Sequence, residues 1–261
     1  MARPDGSTLL GRLYRPLKSP VGEDLPLVVY FHGGGWCVGD VESYDVLARE
    51  MANGSGCAVL SIDYRLAPEN PFPAAVDDAI FSTEWAARHH ALLGIDPERI
   101  ALGGDSAGGN LCIVAALSVR QRGAVSIRFM VLVYPSTEIF SCRSSRQEFG
   151  QGYLLDRESL EWFYARYLRE GDAYLWRASP MLAESLAGLP PVLLVTAECD
   201  PLVDDCIAFA RRVRGEGGIV EHLAVSGVIH GFLTLGKFFP EAREVLQHIT
   251  GRLERALRGR R

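Results

Sequence analysis

The chain has 261 residues, 48% of them apolar, and a formal net charge of −5. That length fits one large domain, and the composition excludes a disordered or fibrous chain. The mild acidity argues against a nucleic-acid surface, which requires clustered excess Lys and Arg.

The N-terminal stretch Met1-Ala2-Arg3-Pro4-Asp5-Gly6 lacks the apolar core of a secretory signal, and no segment reaches the ~18 apolar residues of a spanning helix. No membrane association is expected. Leu9 to Tyr14 reads as an edge strand. Leu27 to Phe31 is a continuous β-branched and aromatic run that ends in glycines. Similar runs follow at Ala58 to Ile62, Arg99 to Gly103, Phe129 to Tyr134 and Val192 to Thr196, with a last strand at Val220 to Val225. Runs this short and this apolar are strands buried on both faces. Between them, helical spacing appears over Ala74 to His90, Asn110 to Arg122, Cys206 to Arg214 and Glu241 to Leu257. Gly123 follows the second of these as a C-cap. The alternation predicts an α/β fold with a mainly parallel sheet covered on both faces.

The segment Ser136 to Ser179 breaks this rhythm. Its one strong helix, Asp156 to Arg169, carries Trp162, Phe163 and Tyr167 at helical spacing. Those aromatics read either as the packing face of a helix or as part of a lid. The basic run Arg252 to Arg261 reads as a solvated helix end or a frayed tail. Six cysteines (Cys37, Cys57, Cys112, Cys142, Cys199, Cys206) show no metal-ligand spacing. They read as reduced thiols of a cytoplasmic protein.

Gly104-Asp105-Ser106-Ala107-Gly108 matches G-x-S-x-G between a predicted strand and a predicted helix, the context that gives the motif meaning. A serine on so tight a turn takes a strained backbone, and the helix start aims free N–H groups at charge developing beside it. His32-Gly33-Gly34-Gly35-Trp36 directly follows an earlier strand. Gly33, Gly34 and Gly35 can present N–H groups to a substrate oxygen, and together with the Ala107 N–H the loop is expected to supply three oxyanion donors drawn from these four residues. The pattern of a phosphate loop is absent. A serine nucleophile needs a base, and the base needs an orienting acid. His230 lies just after the last strand, at the carboxyl end where catalytic loops gather. His89, His90, His222 and His248 fall within or at the ends of elements and are poorer candidates. Asp200 heads the loop after Val192 to Thr196; Asp204 and Asp205 read instead as caps of the next helix.

These motifs carry a family resemblance. With Asp63-Tyr64-Arg65-Leu66-Ala67-Pro68-Glu69, Pro71-Phe72-Pro73-Ala74-Ala75, Asp200-Pro201-Leu202 and His230-Gly231-Phe232, the chain resembles the hormone-sensitive lipase-like esterases of the α/β-hydrolase superfamily. The resemblance runs almost the whole length. It implies an α/β-hydrolase domain over 1–261 that cleaves short- to medium-chain carboxylic esters without metal or organic cofactor. It assigns Ser106, Asp200 and His230 as the triad, and leaves Asp105 and the Asp63-to-Glu69 segment as scaffold. Family members usually carry several dozen residues of cap helices before the first strand. Here a reduced cap is expected, built from the insertion at 136–179, with a more open acyl or alcohol pocket. Uncovered apolar surface would favour a homodimer.

Two rivals follow from the same residues. The triad also suits amidases, deacetylases and arylformamidases. A non-catalytic receptor, of the kind that plant gibberellin receptors resemble, lacks the catalytic histidine, whereas His230 stands in its motif here.

Overall fold

The computed structural model describes residues 1–259 apart from 4, 20 and 21. Pro4 of the N-terminal stretch, and Arg260 and Arg261 of the basic run, therefore lie outside the described residues. Among the described residues, seven strands form one sheet: β1 (Leu10–Tyr14), β2 (Leu25–Phe31), β3 (Ala58–Asp63), β4 (Ile95–Asp105), β5 (Ile127–Val133), β6 (Val192–Cys199) and β7 (Val220–Ile229). Their order is β1-β3-β2-β4-β5-β6-β7. Only β1 runs antiparallel, against β3, so the edge strand read from sequence sits at an edge. The helices are α1 (Asp45–Ser55), α2 (Ala74–Arg88), α3 (His90–Leu93), α4 (Ala107–Arg122), α5 (Ser145–Glu148), α6 (Arg157–Tyr167), α7 (Val203–Gly215) and α8 (Glu241–Arg258).

Side-chain alternation along the strands builds two cores. Leu27, Val29 and Phe31 of β2 face α2, α4 and α7, through residues such as Val76, Leu111 and Phe209. Val28 and Tyr30 face the other way, onto α1 and α8, with Met51, Ile249 and Leu253. All seven residues of β2 are buried, which is why its sequence shows a solid apolar run and no alternation. In α8 the buried positions Ala242, Val245, Leu246, Ile249, Leu253 and Leu257 repeat every three or four residues, while Arg252, Arg255 and Arg258 occupy the same helix. α4 stops where Gly123 takes φ 61° and its N–H closes on the carbonyls of Val119 and Arg120.

α1 is not among the helices expected from sequence. Its buried Leu47, Ala48, Met51, Ala52 and Ser55 follow helical spacing, but small and polar residues dilute the apolar signal. The short α3 continues the Ala74-to-His90 prediction after a break at His89.

Candidate active site

The strand order reverses between β2 and β4, because β3 lies on one side of β2 and β4 on the other. Open parallel sheets leave a crevice at such a point, beyond the carboxyl ends of the strands. The glycine loop after β2 and the Ser106 turn after β4 flank that crevice, with Phe31 in register with Gly104.

Ser106 forms the turn from β4 to α4 with φ 54° and ψ −117°, a region costly for a residue with a Cβ. Its neighbours over-determine it. The Ser106 N–H donates to Val133 O at 2.9 Å, and its carbonyl accepts from the N–H groups of Ser136 and Asn110, each at 3.1 Å. A Cβ at Gly108 would overlap the Phe31 carbonyl, so only glycine lets the two backbones approach this closely.

Asp200 follows β6 and His230 follows β7, and the fold brings both to Ser106. Ser106 Oγ lies 2.9 Å from His230 Nε2. His230 Nδ1 lies 2.7 Å from Asp200 Oδ2. With Nδ1 donating to the carboxylate, Nε2 is free to accept from the serine hydroxyl. Asp200 is fully buried, and its second oxygen accepts from the Leu202 N–H at 2.8 Å. The other histidines are elsewhere: His222 on β7 meets Thr196 Oγ1 at 2.8 Å, and His248 on α8 meets Glu221 at 2.9 Å.

One expectation is corrected in the glycine loop. The Gly33 N–H is buried and donates to Asp105 Oδ1 and to Tyr44 Oη, both at 3.0 Å. It is therefore engaged within the scaffold and is not a free oxyanion donor. Gly34 and Gly35 are half-buried and line the cavity, and no protein acceptor meets their N–H groups among the described residues. Ala107 is the first residue of α4, where helix geometry leaves the N–H without an intrahelical partner.

Asp204 and Asp205 are corrected too: they lie in the first turn of α7 without capping it. Asp205 is fully buried and binds Arg143 and Arg146, while Asp204 accepts from the Ser145 N–H at 2.9 Å.

Asp105 and the Asp63-to-Glu69 segment hold the loop. Besides Gly33, Asp105 accepts from Tyr30 Oη and Tyr44 Oη, each at 2.8 Å. Burial pushes its carboxyl above the usual carboxylate range, and the Tyr44 and Tyr30 hydroxyls oppose that shift. Tyr64 stacks on His32 at 4.2 Å and donates to its carbonyl at 2.8 Å. The Ala67 N–H donates to Trp36 O at 2.9 Å.

The aromatics of α6 divide between the two readings offered by sequence. Tyr167 is buried and stacks flat on Trp36, with centroids 4.4 Å apart and planes 1° from parallel. Phe163 lines the cavity over Ser106, while Trp162 is 43% exposed. That cavity measures about 300 Å³, and Leu154, Leu155, Leu160 and Tyr164 extend its apolar wall. Ser106 itself is only half-buried.

Sequence reasoning missed two tyrosines. Tyr134 was read as the end of a strand, but β5 stops at Val133 and Tyr134 turns to φ 36°, laying its ring 4.5 Å from His230. The following Pro135, which has no N–H to give to a ladder, was the available signal that the strand ends here. Tyr44 had no local signal at all.

The family signature described as alpha/beta hydrolase fold matches residues 28–234. The chain belongs to the hormone-sensitive lipase-like esterase family of the α/β-hydrolase superfamily. It is 38% identical over 255 residues to the ethyl acetate hydrolase of Pseudomonas putida, a match covering 97% of this chain and 80% of that protein. It is 42% identical over 231 residues to the carboxylic ester hydrolase LipN of Mycobacterium tuberculosis, covering 86% of this chain and 61% of that one. The solved structure of the Pyrobaculum calidifontis esterase superposes with a TM-score of 0.91 at 41% identity, covering 94% of this chain and 81% of that chain. Among the described residues, no helix of this esterase-family chain is long and apolar enough to cross a membrane.

Proposed function

We propose that this chain hydrolyses carboxylic esters of short to medium acyl length through an acyl-enzyme on Ser106. His230 takes the Ser106 proton as the hydroxyl attacks the ester carbonyl. The oxyanion then rests on the N–H groups of Gly34, Gly35 and Ala107. His230 returns the proton to the leaving alcohol, activates a water, and the second tetrahedral intermediate collapses to release the acid. Asp200 holds the imidazole tautomer and stabilises its charged form. Besides the ester and one water, the steps use groups of the chain.

The observation that carries this reading is the unbroken line from Ser106 Oγ through His230 to buried Asp200, at 2.9 and 2.7 Å, on a strained strand-to-helix turn. A cavity of about 300 Å³ with an apolar wall supports a modest acyl group. The relative named ethyl acetate hydrolase supports the same substrate class. The insertion at 136–179 serves as the cap of this single domain, since α6 and the turn before it supply the wall above Ser106. Six unpaired cysteines support a reducing, cytoplasmic setting.

The test is hydrolysis of p-nitrophenyl acetate, butyrate, octanoate and laurate by wild type and Ser106→Ala. Expected is highest kcat/KM on the shorter esters, and a fall of roughly 10⁴–10⁶ in the variant. A Ser106→Ala protein that keeps its rate would overturn the nucleophile. Faster turnover of matched anilides than of esters would move the reading to an amidase.

A further inference from the structure

We infer that Phe163 is a partition between the catalytic cavity and a neighbouring groove, and that the groove is an extension subsite for the linear alkyl tail of a longer ester. The inference rests on the esterase reading above and concerns which esters that site accepts.

Two spaces meet at the same side chains. The cavity of about 300 Å³ over Ser106 is bounded on one side by Ser159 and Phe163. Those residues are also the near wall of a shallower groove of about 240 Å³, completed by Glu158 and Trp162. Phe163 is the aromatic side chain that both spaces share. It lies so near Gly35 that a Cβ there would run into the ring at Cγ and Cδ1. The partition thus seats directly on the glycine loop, at the level where the ester carbonyl is held.

Beyond the ring the helix exposes one large apolar side chain, Trp162. Trp162 is 43% exposed and stands perpendicular to Phe163, at 88° with centroids 5.2 Å apart. The Arg166 guanidinium lies 3.6 Å from the Trp162 centroid, which holds the indole in place. A fixed indole loses little freedom when a ligand covers it, so an alkyl chain gains from burial there. The Glu158 carboxylate at the rim favours a neutral tail over an anionic one.

Removing the ring should open a passage and leave the helix standing. One turn on, Tyr167 anchors α6 by its flat stack on buried Trp36. At the other end the Asp156 side chain caps α6 by accepting from the Ser159 N–H at 2.8 Å. The helix is therefore held at both ends by groups other than Phe163.

The alkyl tail belongs to either the acyl or the alcohol half of the substrate, and two substrate series separate these. One series is p-nitrophenyl esters of lengthening acyl chain; the other is acetates of lengthening n-alkyl alcohols, followed by proton release. The readout is kcat/KM for the octyl-length member divided by that for the shortest, because a ratio cancels any disturbance of the shared oxyanion loop. Phe163→Ala is expected to raise that ratio about tenfold in one series, the scale of about one or two methylenes gaining contact. The series that responds identifies the half of the ester that carries the tail. Adding Trp162→Ala to Phe163→Ala should remove the gain, because it dismantles the groove beyond the partition.

An unchanged ratio in both series, in a variant whose melting curve shows it folded, overturns the inference. So does a gain that survives in the double variant, which would mean a loosened helix and no groove. If Phe163→Ala does not fold, Phe163→Leu carries the same test with a smaller shift of the same sign. A wild type inactive on both series overturns the esterase reading and the subsite with it. A wild type that is active on them, beside an unmoved Phe163→Ala ratio, overturns the subsite alone.

Discussion

Asp105 shares a pentapeptide with Ser106, yet its oxygens turn away from the ester and into the glycine loop. It collects the hydroxyls of Tyr30 and Tyr44 and the N–H of Gly33, all within 3.0 Å. In Asp105→Ala the two buried hydroxyls lose their acceptor, and each unsatisfied group costs about 1–3 kcal/mol. The loop that carries Gly34 and Gly35 loosens with them. We expect kcat to fall about tenfold with KM nearly unmoved, less than the 10²–10³ that follows loss of a direct oxyanion donor. Steady-state kinetics on p-nitrophenyl acetate, with a melting curve, read both effects. A fall in kcat/KM carried by KM alone would show that Asp105 acts on binding and not on the loop. Titration adds a sign. Burial raises the Asp105 carboxyl above its unfolded value of 3.8, so the folded state binds the proton more readily than the unfolded chain. That contribution to stability is fully present below the unfolded value and is lost as pH rises through the folded one. The stability of wild type relative to Asp105→Asn should therefore improve as pH falls from neutral towards 4. The residue scale is also where the sequence reading erred. Gly33, Gly34 and Gly35 are identical as letters. What separates them is a carboxylate 72 residues away from Gly33 in the chain, and no local pattern encodes that partner.

The elements were legible wherever burial is two-sided. β2, β3 and β6 are almost wholly enclosed, so their sequences are apolar runs that propensity alone can read. Their ends were not legible, because β4 begins with Ile95-Asp96-Pro97-Glu98 and β6 ends with Glu198-Cys199, where polar side chains leave the core. α6 was legible as a helix, but its orientation was not. Phe163 and Tyr167 are one turn apart, and only the placement of Trp36 and Gly35 decides which ring packs and which one faces the cavity. The insertion meets α7 through a second feature hidden from sequence. Buried Asp205 takes Arg143 Nη1 at 2.8 Å and Arg146 Nη2 at 2.7 Å, and Ser145 Oγ donates to the carbonyl of Pro201 at 2.9 Å. The stem of the insertion is thereby fastened to the turn that follows Asp200. Asp205→Ala would leave the largely buried Arg146 uncompensated, a change that costs about 3–5 kcal/mol. For a domain of this size that corresponds to a drop in Tm of roughly 6–20 °C. Differential scanning calorimetry measures it. A drop no larger than that of an exposed-pair control such as Glu42→Ala would mean that the cluster does not hold the stem.

Across the whole molecule the six cysteines report how completely the two cores are closed. Cys57, Cys112 and Cys206 are fully buried, Cys37 and Cys199 half-buried, and Cys142 exposed. Burial also sets their chemistry: it pushes the thiols of Cys37 and Cys57 to about 11 and raises that of Cys199, which Glu198 lifts further. At neutral pH a thiol near 11 is ionised to only on the order of one part in ten thousand, and the thiolate is the reactive form. Accessibility therefore ranks the cysteines, and the raised thiols of the covered ones slow them further. Ellman's reagent should modify one thiol quickly in the native protein, and Cys142→Ser should abolish that phase. Cys37 and Cys199 should follow slowly, and the last three should react only as fast as the molecule unfolds. Because Cys112 lies on α4 beneath Ser106 and Cys206 on α7 beyond Asp200, labelling of those two should track the loss of esterase activity in denaturant. Fast modification of either in fully active protein would mean that the sheet-facing core opens locally, and that the site rests on a less rigid base than the packing of β4, β5 and β6 indicates.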